Sequence, residues 1–197
     1  MQTAPERPRL AWAVTGSGHY LDECLEIIRD LEDVDLFYSR AGEEVVRMYG
    51  HDPKAINNEG RVYRDRAASS PPVGLFYRGD YHTLVVAPAT SNTVAKMVLG
   101  LSDSLVTNVY AQAGKCRIPS IVLACDTEPE METPAPDRLV KVWPREIDLA
   151  HTHKLRSYDA TTVVENPEKL LVALKLRLAE VKPADVNHDS GSPSEHD

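Results

Sequence analysis

Residues 83–87 read Thr-Leu-Val-Val-Ala, an unbroken run with no alternation of polar and apolar positions. A strand of this kind has no face that water can cover, so it needs layers packed on both sides. Similar short runs stand at 10–15 (LAWAVT), 34–39 (VDLFYS) and 120–124 (SIVLA). Between the first two, Leu21, Cys24, Leu25, Ile28 and Leu31 recur at three- and four-residue spacing, which predicts a helix. Asp22 and Glu23 sit in its first turn, where the helix dipole favours acids. Val45, Val46 and Tyr49 mark a second helix. Strand and helix in alternation predict a parallel sheet with right-handed crossovers. The fold class is α/β: a three-layer, Rossmann-like (flavodoxin-like) open parallel sheet with helices on both faces.

The rest of the chain extends this pattern. Residues 51–70 are polar and predict no element. Pro71-Pro72 opens a short helix ending near Gly79. Pro88 reads as the stop of the 83–87 strand. Val94, Met97, Val98 and Leu101 predict one helix; Leu105, Val109 and Ala113 predict another. Residues 125–137, rich in Pro, Glu and Thr, read as a loop with functional use, 138–143 and 161–164 as strands. Glu165-Asn166-Pro167 caps a last helix carrying Leu170, Leu171, Leu174 and Leu178. One domain is expected over 1–182, followed by a disordered acidic tail over 183–197.

The 22 basic and 30 acidic residues leave a net charge of −8. Four of the acids, Asp185, Asp189, Glu195 and Asp197, lie in the tail. No basic cluster offsets the rest, which argues against duplex nucleic acid or an anionic membrane as partner. No apolar run approaches the roughly 20 residues that span a bilayer. The N-terminal segment lacks the basic-then-apolar order of a signal peptide, so a cytoplasmic location is expected. Cys24, Cys116 and Cys125 are odd in number and far apart, spelling no redox pair or cluster motif. His151 and His153 read as surface residues, and no metal is expected.

In an open parallel sheet, ligands sit beyond the carboxyl ends of the strands. Three polar clusters fall there: Thr15-Gly16-Ser17-Gly18, Ser39, and Pro88-Ala89-Thr90-Ser91-Asn92-Thr93. Any one of them is explained by helix capping alone. Three on successive strand ends point to a phosphate held by backbone N–H groups and helix dipoles. A dinucleotide fits poorly, because Leu21 stands where G-x-G-x-x-G needs its third glycine and the second strand ends in Ser39-Arg40. No nucleoside triphosphate loop is present. A mononucleotide such as FMN fits better.

The stretch Pro88-Ala89-Thr90-Ser91-Asn92-Thr93-Val94-Ala95-Lys96 closely resembles the P-A-[ST]-x-N-T signature of the homo-oligomeric flavin-containing decarboxylase-like flavoproteins. Together with residues 14–18 and Ser39, the resemblance covers most of residues 10–126. It implies FMN held by Gly16, Ser17, Gly18, Ser39, Thr90, Ser91, Asn92 and Thr93, mainly through phosphate and ribityl chain. It also implies a homo-oligomer, trimer-based, with the flavin at a subunit interface. The decarboxylases place a catalytic His at a position matching the vicinity of Gly74, and a P-x-M-N-x-x-M-W motif after the next strand. Here the latter reads Ala124-Cys125-Asp126-Thr127-Glu128-Pro129, so both are missing. His82, at a strand's start, reads as an ordinary surface histidine. What remains resembles the redox branch, the archaeoflavoproteins and dihydromethanopterin reductases (acceptor). That resemblance implies reduction of a dihydropterin with electrons from a ferredoxin-like donor. The alternatives are a flavodoxin-like electron carrier and a divergent decarboxylase. Tyr20 and Asp126 lie near ligand edges, and no proton donor is identified.

Overall fold

The computed structural model describes residues 8–56 and 60–181. The tail expected over 183–197 lies outside them. The first apolar run forms β1 (Arg9–Val14), followed by α1 (Leu21–Arg29), β2 (Val34–Tyr38) and α2 (Arg40–Met48). After β3 (Val62–Arg64), a 3-10 turn (Pro71–Val73) runs into α3 (Gly74–Tyr77). Then come β4 (Tyr81–Ala89), α4 (Ser91–Leu99), α5 (Leu105–Lys115) and β5 (Ser120–Ala124). The chain continues through β6 (Met131–Pro134), β7 (Leu139–Val142), α6 (Glu146–Leu155), β8 (Thr161–Val164) and α7 (Pro167–Val181).

Six strands pair in parallel in the order β3-β2-β1-β4-β5-β8. This is the doubly wound Rossmann order, whose chain reverses direction across the sheet between β1 and β4. Alternate strand residues feed two separate cores. Trp12, Leu36, Val85 and Leu123 pack against α1 and α7, while Phe37, Leu84, Val86 and Val122 pack against α3, α4, α5 and α6. Helices therefore cover both faces, as the unalternating run of β4 requires. The buried Trp12 indole donates to the Ala87 carbonyl oxygen at 2.7 Å, so its one polar group is satisfied.

Four local readings change. Pro88 does not stop β4, which runs on to Ala89 through a cis Ala87–Pro88 peptide. The pairing of β4 with β5 shifts between Val86 and Ala89, and the Pro88 carbonyl oxygen accepts bonds from Thr15 instead of a ladder partner. Residues 62–64 of the unassigned polar stretch add the edge strand β3. Within the 125–137 loop, β6 pairs antiparallel with β7 as a separate hairpin, so β7 does not join the main sheet. A helix, α6, fills residues that predicted none. His151 and His153 lie two apart on it, on different sides of a helix. No helix among the described residues is long and apolar enough to cross a membrane.

Candidate functional site

The ends of β1 and β4 are tied together by one hydroxyl. Thr15, almost fully buried, donates its Oγ1–H to the Pro88 carbonyl at 2.7 Å and accepts the Thr90 N–H at 2.9 Å. This sets the loop after β1 against the first turn of α4. A Cβ added at Gly16 would stand 2.5 Å from the Ala41 Cβ and 3.2 Å from its backbone carbon. One added at Gly18 would stand 1.9 Å from the Tyr49 hydroxyl. Both glycines therefore admit the close approach of α2 and Tyr49. Tyr49 in turn donates to the Pro134 carbonyl oxygen at 2.8 Å, holding the β6–β7 hairpin over the strand ends.

Thr90 caps α4, its hydroxyl accepting the Thr93 N–H at 3.2 Å. Ser91 and Asn92 are then the first-turn residues whose N–H groups a helix leaves without internal partners. Ser39 plays the same capping part for α2, accepting the Gly42 N–H at 2.9 Å. Beyond the strand ends lies a cavity of about 440 Å³, within the usual range of small-molecule sites. Ser17, His19, Thr90, Ser91, Cys125 and Asp126 form its floor; Met131, Thr133 and Val142 of the hairpin, with Trp143, Pro144, Arg145 and Asp148, form the remaining wall. A hollow of about 550 Å³ opens at the opposite edge of the sheet, near Tyr110, Lys115, Tyr158 and Thr161. It meets strand starts and helix ends, where neither the fold nor a helix dipole favours an anion.

The charges in the cavity are mostly committed. Arg145 grips Asp148 through two bonds of 2.8 Å, and this pairing holds the Asp148 carboxyl below its usual range. Burial pushes the Cys125 thiol up to about 12, although it donates to the Ser17 hydroxyl at 3.2 Å. His19 is anchored by its backbone N–H, which donates to Ser17 Oγ at 3.1 Å. Both of its ring nitrogens are shielded from solvent with no hydrogen-bond partner. Burial holds the His19 imidazole below its ordinary range, partly opposed by the carboxylates of Asp126 and Glu23. Its ring lies 3.8 Å from that of Tyr20, which adopts a left-handed backbone (φ 62°) just before α1. Such a conformation in a bulky residue is held by its surroundings.

Of the eight residues singled out in the sequence, Ser17, Thr90 and Ser91 face the cavity. Gly16 and Gly18 shape its floor from behind, and Ser39 and Thr93 are engaged in caps. Asn92 lies exposed on the first turn of α4. Asp126 lines the cavity, whereas His82 lies at the amino end of β4, away from it. His19, the hairpin, Trp143 and Arg145 were not anticipated. His19 had a legible signal, since it follows the glycine loop directly. Among the described residues, no group of three or more His, Cys, Asp or Glu is placed to hold a metal.

A family model described as Flavoprotein matches residues 2–187. A dihydromethanopterin reductase (acceptor) of Methanosarcina mazei is 42% identical over 133 residues, covering 61% of this chain and 56% of the relative. Another of the same name from Methanocaldococcus jannaschii is 41% identical over 131 residues, covering 60% and 53%. The chain thus spans about half the length of these curated relatives. The solved structure of Burkholderia xenovorans DmrB in complex with FMN, a cubic protein cage for redox transfer, is 48% identical. It superposes with a TM-score of 0.83 over 89% of this chain and 97% of that one.

Proposed function

The chain belongs to the Flavoprotein family, and on that footing we propose that it is an FMN-dependent oxidoreductase of the dihydromethanopterin reductase type. Its substrate in this reading is a dihydropterin, reduced to the tetrahydro form with electrons from a ferredoxin-like donor. The observation that carries the reading is the cavity beyond the carboxyl ends of β1 and β4, with the first turn of α4 opening into it. The likeness to DmrB, over most of both chains, supports FMN as the occupant.

The residues fit that group. The unpaired N–H groups of Ser91 and Asn92, with the Ser17 and Ser91 hydroxyls, hold the phosphate at the positive end of the α4 dipole. The unpartnered His19 ring nitrogens are a second polar feature awaiting a ligand. Thr15 keeps the two loops in register, so both reach the ligand together. Met131, Val142 and Trp143 give an apolar wall that keeps water from a flat aromatic ring. When bound, FMN supplies two-electron hydride chemistry.

A trimer-based homo-oligomer, in the cytoplasm, is part of the proposal. Leu99 and Ile147 on the neighbouring helices α4 and α6 expose more than half of their surface, as does Trp143, which suits burial against a second copy. The three free cysteines suit a reducing compartment. To test the function, reduced FMN-loaded protein is mixed anaerobically with dihydromethanopterin and the products are separated. Formation of the tetrahydro product in proportion to enzyme supports the proposal. Recovery of unchanged dihydropterin overturns it, and rapid exchange of electrons with ferredoxin in that case selects an electron carrier instead.

A further inference from the structure

A phosphate dianion moved from water into a partly closed site needs positive charge or several donors around it. The cavity's formal cation, Arg145, is already engaged by Asp148 through two hydrogen bonds. Asp126 and Asp148 add negative charge to the same cavity. The remaining lining group able to turn positive is His19, placed in the loop after β1 and facing the same cavity as Ser91 at the start of α4.

We propose that His19 is the protonatable contact for the ligand's phosphate: it is neutral in the free protein and takes up a proton as the phosphate binds. This rests on the FMN reading above. The unpartnered ring nitrogens give the geometry: neither makes a hydrogen bond in the free protein, so a turn of the His19 ring that brings one of them out of its shielded position to a phosphate oxygen breaks none. Burial favours the neutral ring before binding, with Asp126 and Glu23 opposing it from the loop after β5 and from α1. The neighbouring Cys125 thiol stays uncharged, and the Tyr20 hydroxyl is pushed upward by burial, so neither competes for the proton near neutral pH. A dianion arriving beside the ring favours its charged form. Because the ring's proton affinity is higher in the complex than in the free protein, FMN affinity rises as pH falls between the two values.

The test is calorimetric titration of the full-length apoprotein with FMN and with riboflavin, at about pH 7.5, where a phosphate monoester is a dianion. Two phosphate-free buffers of different ionisation enthalpy are used. The heat of FMN binding should differ between them by an amount equal to uptake of about half to one proton per flavin. Riboflavin, which lacks the phosphate, should show none. His19→Gln should abolish the uptake and weaken FMN by about tenfold, leaving riboflavin within about twofold of wild type. Equal heats in both buffers for wild type, or uptake persisting in His19→Gln, would overturn the assignment. So would equal uptake with riboflavin, which places His19 at the ring and makes it a candidate proton donor. If His19→Gln fails to fold, the wild-type contrast between FMN and riboflavin still decides. Failure of wild type to bind either flavin strikes the FMN reading itself and is distinguishable from all of these.

Discussion

The Thr15 hydroxyl accepts the Thr90 N–H at 2.9 Å, joining the loop after β1 to the first turn of α4 across the point where the sheet reverses direction. The same oxygen donates to Pro88. Thr15→Val keeps the shape but leaves the part-buried Thr90 N–H without its partner, while the Pro88 carbonyl keeps only the backbone N–H of residue 15. An orphaned group of this kind costs about 1–3 kcal/mol. Chemical denaturation should therefore show a loss of that order, with weaker FMN binding. Unchanged stability and affinity would mean that the two loops are held by something else.

The two loop glycines should differ in their tolerance. Gly16→Ala meets the Ala41 Cβ and helical backbone, which cannot yield without moving α2. Gly18→Ala meets the far end of Tyr49, a side chain able to rotate at the expense of its bond to Pro134. Thermal unfolding should rank Gly16→Ala as the more destabilised, by about 1 kcal/mol or more. For Gly18→Ala, the expected sign is faster proteolysis within the β6–β7 hairpin. The reverse ranking would contradict this packing.

Asn92→Asp should separate fold from function. A carboxylate in the first turn of α4 favours the helix by about 0.3–1 kcal/mol. The same charge repels an incoming phosphate, so FMN affinity should fall several-fold while stability holds or rises. A parallel fall in both would show that Asn92 serves the fold alone.

Thiol chemistry gives an independent check on burial. With its thiol pushed up to about 12, Cys125 is essentially un-ionised at about pH 8 and shielded besides. Burial also raises the Cys24 thiol well above its usual range. Alkylation followed by mass spectrometry should label the half-buried Cys116 first, and Cys24 and Cys125 only after unfolding. Labelling of Cys125 in the folded protein at the rate of Cys116 would contradict a closed floor.

Much of this architecture was legible in the residues because the strands of a doubly wound sheet are short apolar runs with helices between them. The elements that escaped lack that signal. Three half-buried residues in β3 are too few to show a period. The buried stripe of α6 consists of Asp148, Thr152 and Leu155, two of them polar, so no apolar pattern marks it. The hairpin hides because Pro134 and the acids around it suggest a loop, and because its strands pair only with each other. Pro88 misled because a proline removes a ladder donor, yet here Thr15 takes over its neighbourhood. At the site, the cap-forming hydroxyls and glycines were readable from type and spacing. The committed charge of Arg145 and the unpartnered ring of His19 were not, since both depend on what packs around them.

The most direct measurement is the visible spectrum of the FMN-loaded protein under anaerobic conditions, first with reduced ferredoxin and then with dihydromethanopterin. The proposed function requires a flavin spectrum that bleaches on the first addition and returns on the second, as the pterin is reduced. A protein that acquires no flavin spectrum, or one whose bleached spectrum persists with excess dihydromethanopterin, would contradict it.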